Sequence, residues 1–511
     1  MKLQDFLVPL LFSFTTIWLL TYLWGPKPAD EQQVIRSGQE FSVMKSVQMC
    51  YPVNTEVDFY DAHKGAAAEI TEVAGYQSYL RFSSGGAVLD SLAFKRDLAG
   101  VEGVIVTTAP SATTERARGT WLVALQEMTP YDFKLVDKQE REHERTLTYE
   151  STTKQAKITK QFVISLTTYQ VDCVVTVEPL VKDSSVQPRL FVPGPYMTEL
   201  GEYEKISAVV FTDRESLKKV SPEQTIDVAW ASPRIFGAED RYFLYALVQD
   251  KDHFTQRAYF KQVEGNRLAA ILEGPMVKEK TTWTLSFYCG PKEAHQLVAV
   301  DKRLESVMDY GWLAPISKLL LFLLTFIYSY IHNYGWAIII LTLLMRLIML
   351  PFAQRGKRKL KAGGEISQKL KYIEQKYKDN PEALQEARAE LMRKQGMTMF
   401  GGCLPVLIQL PVFIGLNFAL RNSIELYQAP FIFWIRDLSA KDPYYVIPSL
   451  IGVTSFLALS ASSKDPRHKV AMLFVSLLIA GATAYLSAGL GLFIAVSSLL
   501  GVLENRMGQG N

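Results

Sequence analysis

The chain has 511 residues, of which 48% are hydrophobic and 21% charged, with a formal net charge of +3. Residues 26–300 carry −6 and the remainder +9, so the positive balance sits in the most apolar part of the chain. That length excludes a single small domain, and that placement excludes a basic soluble surface for nucleic acid.

The first apolar run, Phe6 to Trp24, reads "FLVPLLFSFTTIWLLTYLW". Its length suits a membrane span of about 20 residues, and no small-residue cleavage site follows it. A retained anchor is expected over 1–25, with its N-terminus in the cytosol, followed by a polar linker over 26–39.

From 40 to 305 the pattern has period two. In "KQFVISLTTYQVDCVVTVEPLV", Phe162, Ile164 and Leu166 share one face, and Val171, Cys173, Val175 and Val177 share another. Alternation bounded by Gly, Pro, Asn and Asp clusters predicts antiparallel strands with one buried face. A large β-sandwich outside the cytosol is expected. Four cysteines (Cys50, Cys173, Cys289 and Cys403) make no disulfide framework, although one bridge within the sandwich stays open.

Trp312 to His332, within a segment bounded at 306–334, is long enough to span. Its polar residues Ser317, Lys318, Thr325, Ser329 and His332 fall near one helical stripe, which predicts an amphipathic helix lying in the interface. The next apolar run, 335–354, is the second expected span and contains Arg346. Residues 352–399 then hold twelve Lys/Arg against six Asp/Glu, a bias that belongs on the cytosolic side. Within 355–399, "EISQKLKYIEQKYKD" and "PEALQEARAELMRKQG" read as two antiparallel helices separated by Asn380-Pro381. Four further apolar runs within 400–508 begin at Cys403, Tyr445, Val470 and Gly489. Basic loops alternate with neutral ones, so six spans with both termini in the cytosol are self-consistent.

An arginine near mid-bilayer costs about 2.5–3.5 kcal/mol on insertion scales. Three readings compete for Arg346. It can snorkel toward the cytosol. It can pair with an acid, but none lies deep in the other spans, because Glu504 is terminal and Glu425 is in an outer loop. Or it can line a water-filled cavity with Thr342, Gln409, Asn417, Thr454, Ser455, Ser497 and Ser498. Composition leaves snorkelling and cavity equally open. There is no G-x-x-x-x-G-K-[ST], H-E-x-x-H or G-x-S-x-G, and the six histidines lack metal-ligand spacing. No cofactor, metal or catalytic residue is expected, and the chain is not read as an enzyme.

The run "VMDYGWLAPISKLLLFLLTFIYSYIHNYGWAIIILTLLMRLIMLPF", the basic hairpin and "GGCLPVLIQLPVFIGLNFALRNSIELYQAPFIFWIRDLSAKDPYYVIPSLIGVT" resemble the YidC membrane-protein insertase family of bacteria. The likeness covers about residues 306–505 and extends more weakly to "AKITKQFVISLTTYQVD", "RYFLYALVQ" and "YCGPKEAHQLVAVDKRLE". It implies an inner-membrane protein with a periplasmic sandwich and five core spans. It also implies a hydrophilic groove open to cytosol and lipid, with an arginine at the position of Arg346 and Phe493 in its lining. The third and fifth spans would form the face against which a client slides. The hairpin would recruit clients through Lys369, Lys371, Lys376, Lys378, Arg388 and Arg393. The implied partners are nascent membrane proteins and lipid, with the secretory translocon and the ribosome beside them. Three departures stand out: Thr398-Met399 replaces the family's Asn-Pro, Phe493 stands alone where an aromatic pair is expected, and no long basic tail follows Met507. The rival readings are a transporter or channel for a small anion, with Arg346 as ligand, and an anchored binding protein whose β domain does the work.

Overall fold

The alternating stretch beginning at Ala156 folds as two long antiparallel strands, Ala156–Ser165 and Gln170–Pro179, with alternate residues facing the core. They lie within a nine-stranded antiparallel sheet that runs from Lys134–Glu140 at one edge to Lys218–Val220 at the other. A five-stranded sheet and a four-stranded sheet, Ile70 to Thr108, complete a β-sandwich. The computed structural model describes residues 68–98, 101–108, 120–125, 132–181, 184–195, 206–212, 217–225, 228–263, 267–311, 313–377, 382–387, 389–390, 404–460 and 466–507. The expected anchor and linker, Cys50 and Cys403 lie outside them. The chain divides into two compact units, 1–308 and 309–511.

Aromatic rings from the four- and nine-stranded sheets meet in the sandwich core with Trp121, the residue before a strand of the five-stranded sheet. Phe82 lies 4.8 Å from Phe162 and 6.4 Å from Trp121, whose ring is 5.5 Å from Phe287. Full burial of each such side chain stabilises by roughly 1.5–3 kcal/mol. One core position breaks the apolar code. Lys160 lies between Ile158 and Phe162 on the inward face and is fully buried. Its Nζ donates to the carbonyls of Gly86 (2.7 Å), Ala87 (3.0 Å) and Trp121 (2.6 Å). An ammonium has three donors, so these three acceptors satisfy it. The carbonyls turn inward because Gly86, Ala87 and Trp121 all have positive φ, at 81°, 45° and 67°. Burial pulls the Lys160 ammonium down to about 7.

The bridge left open by the sequence does not form between the two cysteines described. Cys173 and Cys289 are separate buried thiols on neighbouring strands, and the register sets Cys173 opposite Leu285, four residues away from Cys289. Burial pushes the Cys173 thiol up to about 12, which leaves it inert as a nucleophile.

A short helix, α1 (Ala294–Val300), and a 3-10 turn at Lys302–Val307 close the first unit. The second is helical: α2 (Ala314–Ile331), α3 (Tyr334–Lys376), α4 (Leu404–Asn422), α5 (Val446–Ser460), α6 (Pro466–Thr483) and α7 (Ala488–Met507). His332 in the left-handed conformation ends α2, and Asn333 caps α3 by accepting from the backbone N–H groups of Gly335 and Trp336. Gly335 is required there, since a Cβ would stand 1.9 Å from the Phe431 ring. Among the described residues, α2 and Tyr334–Pro351 are long and apolar enough to cross a membrane, and α5, α6 and α7 contain shorter apolar stretches.

Two differences from the sequence reading stand out. The second expected span and the first hairpin helix are one continuous helix, α3. Pro351 removes one backbone donor but does not end it, and the Lys, Arg, Leu and Ala residues that follow are strong helix formers. On α2, the expected polar stripe is split. Ser317 is buried and donates to the Tyr310 carbonyl at 3.0 Å, while Thr325 and Ser329 bond the helix's own carbonyls. The outward face carries Leu319, Phe322, Phe326 and Tyr330 beside Lys318.

Candidate functional site

Arg346 lies twelve residues into α3, on the side that meets α7. Its Nε donates to Ser497 Oγ at 3.1 Å and its Nη2 to the Ser497 carbonyl at 2.6 Å. Its Nη1 stands 3.9 Å from Glu504 Oε1. Ser497, Gly501 and Glu504 are spaced i, i+4, i+7, which places them on one face of α7. A Cβ on Gly501 would sit 3.6 Å from Nη2, so the missing side chain leaves α7 open where the guanidinium lies against it. A helical carbonyl that accepts from the residue four ahead keeps a second lone pair. The gap at Gly501 lets Arg346 reach the one on Ser497.

Next to this seat, the hydroxyls of Ser498 and Thr454 lie 2.8 Å apart and join α7 to α5. Phe493, one turn before Ser497, is buried. Thr342 is also buried, and its hydroxyl donates to the Ile338 carbonyl at 2.6 Å, so it is satisfied by its own helix. Gln409 and Asn417 on α4 and Ser455 on α5 are half-buried, and among the described residues none of them hydrogen-bonds Arg346. The candidate set therefore divides. Arg346, Ser497, Ser498 and Thr454 form one polar line across three helices, whereas Thr342 serves α3 itself and Gln409 and Asn417 stay apart from the arginine.

The expectation that no acid could reach Arg346 is corrected. Glu504 is terminal, but seven residues of helix cover only about 10 Å, and an extended arginine side chain spans most of that distance toward the same end of the bundle. The i, i+7 spacing of Ser497 and Glu504 was the available signal. The result combines two of the earlier readings: the side chain points along α7 toward the expected cytosolic end, and it meets an acid there. Arg346 keeps 27% of its side chain exposed and Glu504 19%. A guanidinium anchored along one edge, whose remaining contact is a carboxylate beyond hydrogen-bond range, can exchange that partner.

Apolar side chains are exposed on α3, at Leu343, Leu344, Leu347 and Ile348, and on α6, which packs against α5, at Leu473, Phe474, Leu477 and Leu478. Continuous apolar faces of this kind require a partner or lipid. Among the hairpin cations, Lys369 and Lys371 fall on α3, Lys376 is exposed near its end, and Lys378, Arg388 and Arg393 lie outside the described residues. Among the described residues, no group of three or more His, Cys, Asp or Glu is placed to hold a metal ion.

A β-sandwich preceding a helical unit with apolar outer faces and a seated arginine defines a membrane protein with a large folded domain ahead of its helices. Comparison with known proteins gives the family. Residues 104–323 match the family profile described as "YidC periplasmic domain", and 326–509 match "60Kd inner membrane protein". A membrane protein insertase YidC from Geobacter sp. (strain M21) is 33% identical over 302 residues, 58% of this chain and 55% of the relative. The membrane protein insertase YidC of Nitrosococcus oceani is 30% identical over 371 residues, 68% of this chain and 66% of the relative. The matched region spans little more than half the length of the first of these relatives. The crystal structure of YidC from Thermotoga maritima aligns with 86% of this chain and 99% of its own, at 16% identity and a TM-score of 0.31. The chain belongs to the YidC family.

Proposed function

We propose that this chain inserts membrane proteins, receiving a client segment at a hydrophilic groove on the cytosolic side and releasing it laterally to lipid. The observation that carries the reading is the seated but partly exposed guanidinium of Arg346, set in a line of hydroxyls between helices whose outer faces are apolar. A client's apolar segment moves downhill, by about 0.3–0.6 kcal/mol per Leu or Ile near the bilayer centre. The barrier is its polar flank, at about 2.5–3.5 kcal/mol per charge in the core. A wet notch partway into the bilayer shortens the dry path, and Arg346 neutralises a passing carboxylate where the local dielectric is low. The client's own partitioning, with the membrane potential acting on its charges, drives the transfer without a nucleotide.

In this reading the chain crosses a bacterial inner membrane six times with both termini in the cytosol. The sandwich lies in the periplasm, and α2 lies in the interface with its aromatic face toward lipid. The hairpin whose first helix is the C-terminal part of α3 recruits clients, and α4 and α6 form the face along which they slide. The secretory translocon and the ribosome are candidate partners.

Reconstitution tests this. The purified chain in liposomes should insert a short client that empty liposomes leave outside. A stalled client should crosslink to cysteines placed at Phe474 and Leu477 on α6. Insertion that proceeds equally in empty liposomes, or crosslinks confined to the sandwich, would overturn the proposal.

A further inference from the structure

Arg346 divides its guanidinium between two kinds of partner. The Nε and Nη2 edge is fixed to Ser497 by contacts of 3.1 and 2.6 Å. Nη1 faces the Glu504 carboxylate at 3.9 Å, beyond hydrogen-bond range yet within ion-pair range. One side of the cation is therefore anchored and the other is loosely held. The loose partner is a carboxylate, the same chemical group that a client's acidic flank presents. Both side chains remain partly exposed, and neither bond to Ser497 uses Nη1.

We infer that Glu504 is the resident carboxylate of the groove: it neutralises Arg346 at rest and competes with the acidic residues of a client for Nη1. This rests on the insertase reading and adds a specificity-determining residue to it. The competition has a direction. A client with one or more Asp or Glu in its translocated flank must displace Glu504, whereas a neutral flank leaves the pair closed. Glu504 thus weakens the preference for acidic flanks that a bare arginine would impose and widens the range of flanks the groove handles. Because Ser497 holds the guanidinium in place, removing Glu504 leaves the cation seated instead of letting it swing away.

The test uses the full chain in liposomes and two versions of one short client, with either two Asp or two Asn in the translocated flank. The readout is the ratio of their insertion rates. Glu504→Gln keeps the volume and removes the charge, and it should raise the acidic-to-neutral ratio about two- to five-fold, the range of a partly exposed ion pair. Glu504→Asp, one methylene shorter, should raise it less and covers the case in which the glutamine variant does not accumulate. In an Arg346→Ala background, Glu504→Gln should leave the ratio unmoved. A ratio that stays at the wild-type value or falls in both Glu504 variants overturns the inference. Should Arg346→Ala alone leave the ratio at its wild-type value, the groove reading itself fails, which separates the two outcomes.

Discussion

Two covered cations, one in each unit, show how different uses of charge look at atomic scale. Lys160 is fully buried, with three donors on three carbonyls and no room for another partner. Arg346 is anchored along one edge, keeps 27% of its side chain exposed, and stands next to a carboxylate too far away for a hydrogen bond. The first arrangement is closed and specifies a structure. It ties the strand Ala156–Ser165 to backbone at Gly86 and Trp121, across separations of 74 and 39 residues. The second is open and leaves capacity for a ligand. Burial alone would rank Lys160 the stronger functional candidate, while the count of unfilled partners ranks Arg346 first.

The sharpest way to break this comparison is to remove each cation in turn. Lys160→Met keeps the apolar stem and leaves three buried carbonyls without their lysine donor, each costing about 1–3 kcal/mol. A loss of about 3–5 kcal/mol is expected, measured by urea unfolding of the full chain followed by tryptophan fluorescence. Arg346→Ala should change unfolding far less but slow insertion of clients with acidic flanks by up to about tenfold, within the range of the charge cost in the core. Arg346→Lys should keep much of the rate. Equal losses with both substitutions, or a loss independent of client charge, would count against an electrostatic role.

A pH series sharpens the same contrast. Burial lowers the folded Lys160 ammonium to about 7, against an ordinary value near 10.5. Between those values the unfolded chain binds more protons than the folded one, so stability rises with pH across that window. Below about 7 both states are charged and this contribution is flat. The slope should be shallower in Lys160→Met by this contribution, which urea midpoints at pH 7, 8 and 9 would reveal.

The particular residues show which parts of this were legible in sequence. Period-two alternation located the strands at Phe162 to Ile164 and Val171 to Val177, because a half-buried sheet writes its two faces directly into the chain. Lys160 escaped notice on that same face. A lysine reads as solvent-facing, and the carbonyls that satisfy it come from distant segments. Arg346 was conspicuous because a cation among leucines has few explanations. Its partner was not, because Glu504 sits at a chain end and its pairing depends on side-chain reach between two helices. Thr342 shared a helix face with Arg346 in sequence, yet its hydroxyl turns back to Ile338. Gln409 and Asn417 are polar residues in an apolar run, but only packing decides whether they meet the arginine. The unbroken length of α3 was hidden behind Pro351, which looks like a terminator until the helix formers after it are weighed.

The smallest expected effect tests the open side of the comparison most directly. Gly501 leaves the space in which Arg346 rests on α7, and an added Cβ would lie at 3.6 Å from Nη2, an ordinary contact. Gly501→Ala should therefore leave the acidic-to-neutral client ratio unchanged while gaining slightly in helix propensity, about 1 kcal/mol at most. Gly501→Leu fills the same space with a branched side chain that cannot share it with the guanidinium. That variant should move the ratio toward the Arg346→Ala value with little change in the urea midpoint. If leucine is tolerated as well as alanine, the guanidinium does not rest on that face during insertion, and the seat on α7 is a resting position that the working groove leaves.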